Sequence, residues 1–127
     1  MNMERPQEEI DWYFERFLEL IQNHQTARSD LSPMKVQYKV RAEKGRVYWR
    51  IFVDTHELAT GFDLDYTKGI IRSNIFGFVR RKDGAIFRAA TYKAPETRTK
   101  SAIRGYVFDS NPSQYFKDYG IIYAEGT

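Results

Sequence analysis

The apolar residues of this chain change period once, and that change limits the fold more than any other feature. In RPQEEIDWYFERFLELIQNH (5–24), Ile10, Tyr13, Phe14, Phe17, Leu18 and Ile21 recur at the three- and four-residue spacing of one helix face. Pro6 suits a first helical turn, where its missing N–H costs nothing, and Glu8, Glu9 and Asp11 lie near the positive end of the helix dipole. QTARSDLSP has no such period and ends at Pro33, so the helix is expected over about 6–24. Trp12 points away from the stripe, either to pack under a loop or to meet another subunit.

From about residue 34 the period becomes two. Val36, Tyr38 and Val40 alternate with Lys35, Gln37, Lys39 and Arg41, as in a strand with one dry face and one wet face. EKG (43–45) reads as a turn into RVYWRIFVD, with Val47, Trp49, Ile51 and Val53 on one face and Tyr48, Arg50 and Phe52 on the other. NIFGFVRR and AIFRAA flank KDG (82–84) as a second hairpin, Gly84 supplying the positive φ such turns need. By the same alternation Phe76 and Phe78 share a face with Arg80. Between the hairpins, THELATGFDLDYTKGIIRS is weakly patterned and reads as a strand fragment or ordered loop. AIRGYVFD reads as a strand, NPSQYFKDYG as a short helix opened by Asn111 or Ser113, and IIYA as a last strand. The expectation is one α+β domain over 1–127, an amphipathic helix packed on an antiparallel sheet of about four to six strands.

Several classes are set aside by composition. The chain has no cysteine, which excludes disulfides and thiolate metal sites and fits a reducing compartment. Its apolar runs are far shorter than a bilayer span, and MNMERPQEEIDW has no apolar signal region, so a soluble intracellular protein without membrane contact is expected.

Charge is modest in total, +3, but uneven along the chain. Residues 72–104 hold nine Lys and Arg against Asp83 and Glu96, a net of +7, and residues 31–50 come to +5. Residues 1–30 come to −4. Such blocks suggest a face that meets an anion, nucleic acid being the commonest, or else a solvated surface that happens to be basic. The richest stretch is RRKDGAIFRAATYKAP (80–95), where cations are threaded through aromatics. Arg80, Arg81, Lys82, Arg88, Lys93, Arg98 and Arg50 are the candidate phosphate contacts. Tyr92, Tyr48, Phe87 and Trp49 are the candidate stacking partners, with Trp49 and Phe87 equally readable as core. Pro95 biases Ala94 toward extended backbone, which would present Tyr92 and Lys93 in one direction or simply end the sheet.

The segment RSNIFGFVRRKDGAIFRAATYKAPETRTKSAIRGYVFD (72–109) resembles a motif of small phage-encoded proteins of uncertain function. That motif has an Arg-Ser start, a Phe-Val strand, a Gly turn, a run ending Lys-Ala-Pro and a later Arg-Gly-x-x-Phe-Asp. Arg72, Ser73, Phe78, Val79, Gly84, Ile86, Arg88, Ala90, Tyr92, Lys93, Ala94, Pro95, Arg104, Gly105, Phe108 and Asp109 match it. The resemblance covers under a third of the chain and implies a viral accessory protein acting in the host cytoplasm during infection.

Catalysis has little support in the residues. HELAT has Thr60 where a zinc-protease helix needs its second histidine, and nothing resembles a Ser or Cys nucleophile with an orienting base. Asp54, Glu57, Asp63 and Asp65 form an acidic group of the kind a Mg²⁺ site uses, without the lysine motif of a nuclease core. The expected function is a non-enzymatic, single-stranded nucleic-acid-binding protein without cofactor or metal. DNA is preferred to RNA as its ligand, and a homodimer is expected, formed through the aromatic sheet face or Trp12. The alternatives are capture of a nucleotide or host protein, and a minor structural role in the virion.

Overall fold

Pro6, with φ −56° and ψ 145°, leads into the helix, and Glu8 and Glu9 fall in its first turn beside the unpaired N–H groups. A computed structural model describes residues 5–32, 36–57, 70–99 and 101–122, without the side chains of 57, 70 and 71. The helix α1 runs Gln7–Leu31, seven residues beyond the end expected from its apolar stripe. Hydrogen bonds, not apolar burial, carry these extra turns. Gln25 is fully buried and donates to Asp118 O (2.9 Å), and Ser29 Oγ donates to Val36 O. Residues 25–31 carry no apolar stripe, so the period ends early. Pro33, read as the helix stop, lies outside the described residues.

Strands β1 (Val36–Lys44), β2 (Tyr48–Glu57), β3 (Ile70–Arg80), β4 (Ala85–Phe87) and β5 (Ile103–Tyr106) form one antiparallel sheet in sequence order. A 3₁₀ turn at Pro112–Tyr115 then leads into the small hairpin of β6 (Phe116–Lys117) and β7 (Gly120–Ile121). The architecture is α+β, as expected. Gly84 has φ +76° in the β3–β4 turn, the left-handed value read from KDG. His56, read within the weakly patterned stretch between the hairpins, is instead buried in β2, and Asp54, counted among a group of acids open to Mg²⁺, is buried there too. Asp63 and Asp65 lie outside the described residues.

One face of the sheet is covered by α1 and by the chain after β5. Phe14 stacks on Trp49 at 3.9 Å between centroids, while Phe116 meets both Phe17 (5.8 Å) and Phe76 (5.7 Å) edge-on. Ile51, Val53, Val79, Ile86, Val107 and Ile121 complete this core. Val47 does not join it. Strand pairing begins at Lys44 opposite Trp49, so Val47 falls in the exposed turn beyond the last pair.

A bulge corrects the alternation read for β3. Ile51 pairs with Gly77 but Phe52 pairs with Ile75, which leaves Phe76 as an extra residue. Phe76 therefore lies on the helix side with Val79, and Phe78 on the far side with Ile75. Alternation cannot locate an inserted residue, because the phase changes without any change in composition.

The far face is not an open aromatic platform. Phe78, Ala85 and Phe87 are buried there among Tyr48, Ile75, Ala89, Ala102 and Tyr106. Phe52 is 0% exposed, with the Tyr92 ring 5.3 Å away. The covering segment closes on itself. Ala89 bridges Pro95, Ala94 O accepts from Ala90 and Thr91 N–H (3.0 and 3.1 Å), and Thr91 Oγ1 accepts from Lys93 and Ala94 N–H (3.2 and 3.1 Å).

The outer edge of β1 would otherwise offer unpaired backbone to another chain. Gln22 of α1 closes it, donating to Tyr38 O (2.9 Å) and accepting from Val40 N–H (2.8 Å). Gln22→Ala strands both groups, and an expected loss of about 1–3 kcal/mol should appear as a lower urea midpoint with unchanged slope. No helix among the described residues is long and apolar enough to cross a membrane. Trp12 is 58% exposed, its ring meeting the edge of Tyr13 and the Arg16 guanidinium (5.6 Å).

Candidate functional site

The residues expected to hold phosphate are dispersed over four places. On the far face, Arg80 makes a bidentate pair with Asp83 (Nη2–Oδ2 2.7 Å) and Arg50 pairs with Glu43 (2.7 Å). Arg41 is there too, bonded to the buried Asp54 (2.7 Å) and to Glu43 (2.9 Å). Three arginines thus meet three carboxylates. Hydrogen bonding to Asp83 raises the Arg80 pKa. Burial pushes the Asp83 carboxyl up, but Arg80 and the Ala85 N–H outweigh it and hold the carboxyl below its usual range. Tyr48 is half-buried with its ring edge-on to Phe78 and Phe87.

Arg81 and Lys82 lie in the β3–β4 turn. Arg81 Nη1 donates to Gly45 O (2.9 Å) and Arg46 O (3.2 Å), so its fork is occupied by backbone, while Lys82 is exposed. Tyr92, Lys93 and Arg98 lie on the segment covering the far face. Tyr92 is 51% exposed, 6.0 Å from the Arg50 guanidinium, and Lys93 and Arg98 are exposed. Arg88 turns toward the C-terminal hairpin, donating to Ile121 O (3.3 Å). Its neighbour Arg104 has its pKa lowered, by burial first and then by the charge of Arg88.

Tyr115 lines the same side, its hydroxyl donating to Asp109 Oδ2 (2.6 Å). That bond, then burial, then the carboxylate charge push its pKa up to about 12, from an ordinary value near 10. A raised folded pKa means its stabilisation is complete below pH ~10 and lost as pH climbs toward about 12. In a spectrophotometric titration, one of the nine tyrosines should ionise last, and Tyr115→Phe should remove that final step.

Tertiary packing assembles a different set. The last turn of α1, the ends of β2 and β3 and the β6–β7 turn enclose a cleft of about 350 Å³. Arg28, Arg72, Thr55, Asn74, Asp118 and Tyr119 supply its polar wall. A second depression of about 420 Å³ adjoins it along the end of α1, lined by His24, Leu31, Ser32 and Tyr38 and sharing Arg28, Asp118 and Tyr119.

Arg28 is the wall between them. Its guanidinium carbon lies 4.0 Å from the Tyr38 ring centroid and 4.6 Å from that of Tyr119, and its Nη1 donates to Gln25 Oε1 (3.0 Å). Neither Arg28 nor Arg72 forms an ion pair among the described residues. The one carboxylate on the wall, Asp118, is engaged by His24 Nε2 at 2.6 Å. Tyr119 is 78% exposed, so most of its surface faces solvent.

Two cations with no ion pair among the described residues, beside flat rings in a concavity, suit a phosphate attached to an aromatic base. Positions 28, 38, 72 and 119 are far apart in the chain, and no local pattern marks them as partners. Arg72 was conspicuous only as the start of the 72–109 motif. Compared with known proteins, the chain matches no family model, no curated protein and no solved structure, so the cleft is read from its own side chains alone.

Proposed function

We propose that this is a non-enzymatic, single-stranded nucleic-acid-binding protein that grips its ligand in the Arg28–Arg72 cleft and the groove beside it. One observation carries the reading: two adjoining depressions share a wall of Arg28 and Tyr119. Each has the volume of a small-ligand site, at or above about 300 Å³. Successive nucleotides would occupy successive depressions, with phosphate on the arginines and a base on the open face of Tyr119. Stacking of this kind contributes roughly 1–3 kcal/mol per base and tolerates any sequence. DNA stands ahead of RNA in this reading, as in the expectation from the sequence. The 72–109 motif adds the setting of a phage accessory protein in the host cytoplasm. A homodimer belongs to the same reading, with Trp12 as its contact, and would sediment at twice the 15.0 kDa of the chain.

The test is fluorescence anisotropy with a single-stranded oligonucleotide over a range of salt. Log affinity should fall linearly with log salt, and Arg28→Ala with Arg72→Ala should flatten the slope by about 1.4, or about 0.7 per phosphate. Tyr119→Ala should weaken binding by about 1–3 kcal/mol at any one salt concentration. Affinity indifferent to salt, or to all three changes, would sink the reading. A free nucleotide bound tightly with no retention of single strands would favour the runner-up, nucleotide capture, which the size of the cleft alone also suits.

A further inference from the structure

The turn between β1 and β2 and the turn between β3 and β4 lie side by side at the end of the sheet remote from the cleft. Arg81 joins them. Its N–H donates to Val47 O (2.9 Å), its Nη1 bridges Gly45 O and Arg46 O, and its own carbonyl accepts from Gln7 Nε2 of α1 (2.8 Å). This bracket holds Lys44, Arg46 and Lys82 exposed around one tip. None of the three forms an ion pair among the described residues, and the nearby acids Glu43 and Asp83 are committed to Arg41, Arg50 and Arg80. The tip therefore keeps its charge, whereas Arg41, Arg50 and Arg80 are neutralised by their partners.

Strand β1 connects the tip with the groove. Tyr38, near its start, lines the groove and stacks on Arg28, while Lys44 ends the strand at the tip. At ~3.3 Å per residue the path from Tyr38 to Lys44 is about 20 Å. A strand stacked at ~3.4 Å per nucleotide covers that in about six nucleotides. The alternative path, over the outer face of α1, passes Glu8, Asp11, Glu15 and Glu19 and would repel a polyanion.

We infer that Lys44, Arg46 and Lys82 form a second phosphate-binding region for the strand held in the cleft, reached along the β1 edge. This rests on the nucleic-acid reading above, and it sets the length of strand the protein needs.

The experiment compares oligonucleotides of about 4 and about 20 nucleotides, the shorter one unable to reach the tip when stacked. Salt dependence is measured for the wild type and for Lys44→Gln, Arg46→Gln, Lys82→Gln combined. These side chains are exposed, and an unchanged melting temperature checks the fold. With the longer strand the triple variant should lower the slope by about 2, or about 0.7 for each of three phosphates. With the shorter strand its slope should match the wild type. An unchanged slope on the longer strand, with Arg28→Ala and Arg72→Ala still flattening it, overturns the inference and leaves the cleft reading standing. An equal drop for both lengths shows the tip acting through the general field of the protein, and also overturns it. A wild type that retains neither strand overturns both.

Discussion

Phe52→Ala is expected to destabilise the protein by about 3–5 kcal/mol, a large part of the roughly 5–15 kcal/mol that holds a typical domain together. Phe52 lies on the sheet face opposite α1, yet it is fully buried, beneath Tyr92 and beside the Arg41 guanidinium at 4.3 Å. Removing the ring loses its transfer free energy and leaves a void. The β2–β3 bulge beside it cannot close that void without breaking register. Tyr92→Ala, on the half-exposed ring above it, should cost only about 1 kcal/mol, because much of that area already faces water. Urea denaturation of both variants separates two pictures of this face. If the rings formed an open platform for bases, Phe52→Ala would cost no more than Tyr92→Ala and would instead weaken ligand binding.

Gly105→Ala should come close to the same loss, about 3 kcal/mol, through crowding instead of a void. A Cβ at Gly105 would stand 2.2 Å from Tyr115 Cζ and 2.6 Å from its hydroxyl oxygen. An aromatic ring cannot fold out of the way as a long aliphatic chain can. It must swing as a unit, and that breaks its bond to Asp109. Overpacking costs ~1–3 kcal/mol and a hydrogen bond to a carboxylate ~1.5–3, which together bracket the figure. Two measurements identify the cause. The last-ionising tyrosine should return toward an ordinary pKa in Gly105→Ala, and in a Tyr115→Ala background the same change at Gly105 should cost much less. Additive losses would mean that the strain lies in the β4–β5 backbone.

Much of the architecture was readable because burial imposes a period. The stripe from Ile10 to Ile21 and the alternations through Val36–Val40 and Trp49–Val53 each describe one face packed on something dry, and each forms as expected. The Lys-Asp-Gly turn was readable for a different reason: few residues tolerate the backbone angle that Gly84 adopts. The reading failed where polar side chains took over the work of apolar ones. Gln25 and Ser29 extend α1 with hydrogen bonds that have no period, and Asp54 is buried in β2 because Arg41 and Ser73 meet its carboxylate there.

The candidate site was harder, since charge counted along a chain takes no account of pairing. Arg50 and Arg80 fall in basic blocks, yet Arg50 has Glu43 at 2.7 Å once β1 and β2 are in register, and Arg80 has Asp83 at 2.7 Å across the β3–β4 turn. Arg28 falls in the acidic N-terminal block and ends in a cleft where it forms no ion pair among the described residues. Whether an arginine is available to a ligand depends on which acid the fold places beside it.

Taken alone, the chain determines one amphipathic helix, two hairpins and a surplus of cations, because each of these is written in residues that are neighbours in sequence. The folded chain decides which cations stay unpaired, which rings stay wet and where a concavity opens. These depend on contacts between residues 28, 38, 72 and 119, brought together by packing. Burial leaves a periodic signature that a sequence displays, whereas which charge meets which, as with Glu43 and Arg50 or Arg41 and Asp54, is set where strands pair.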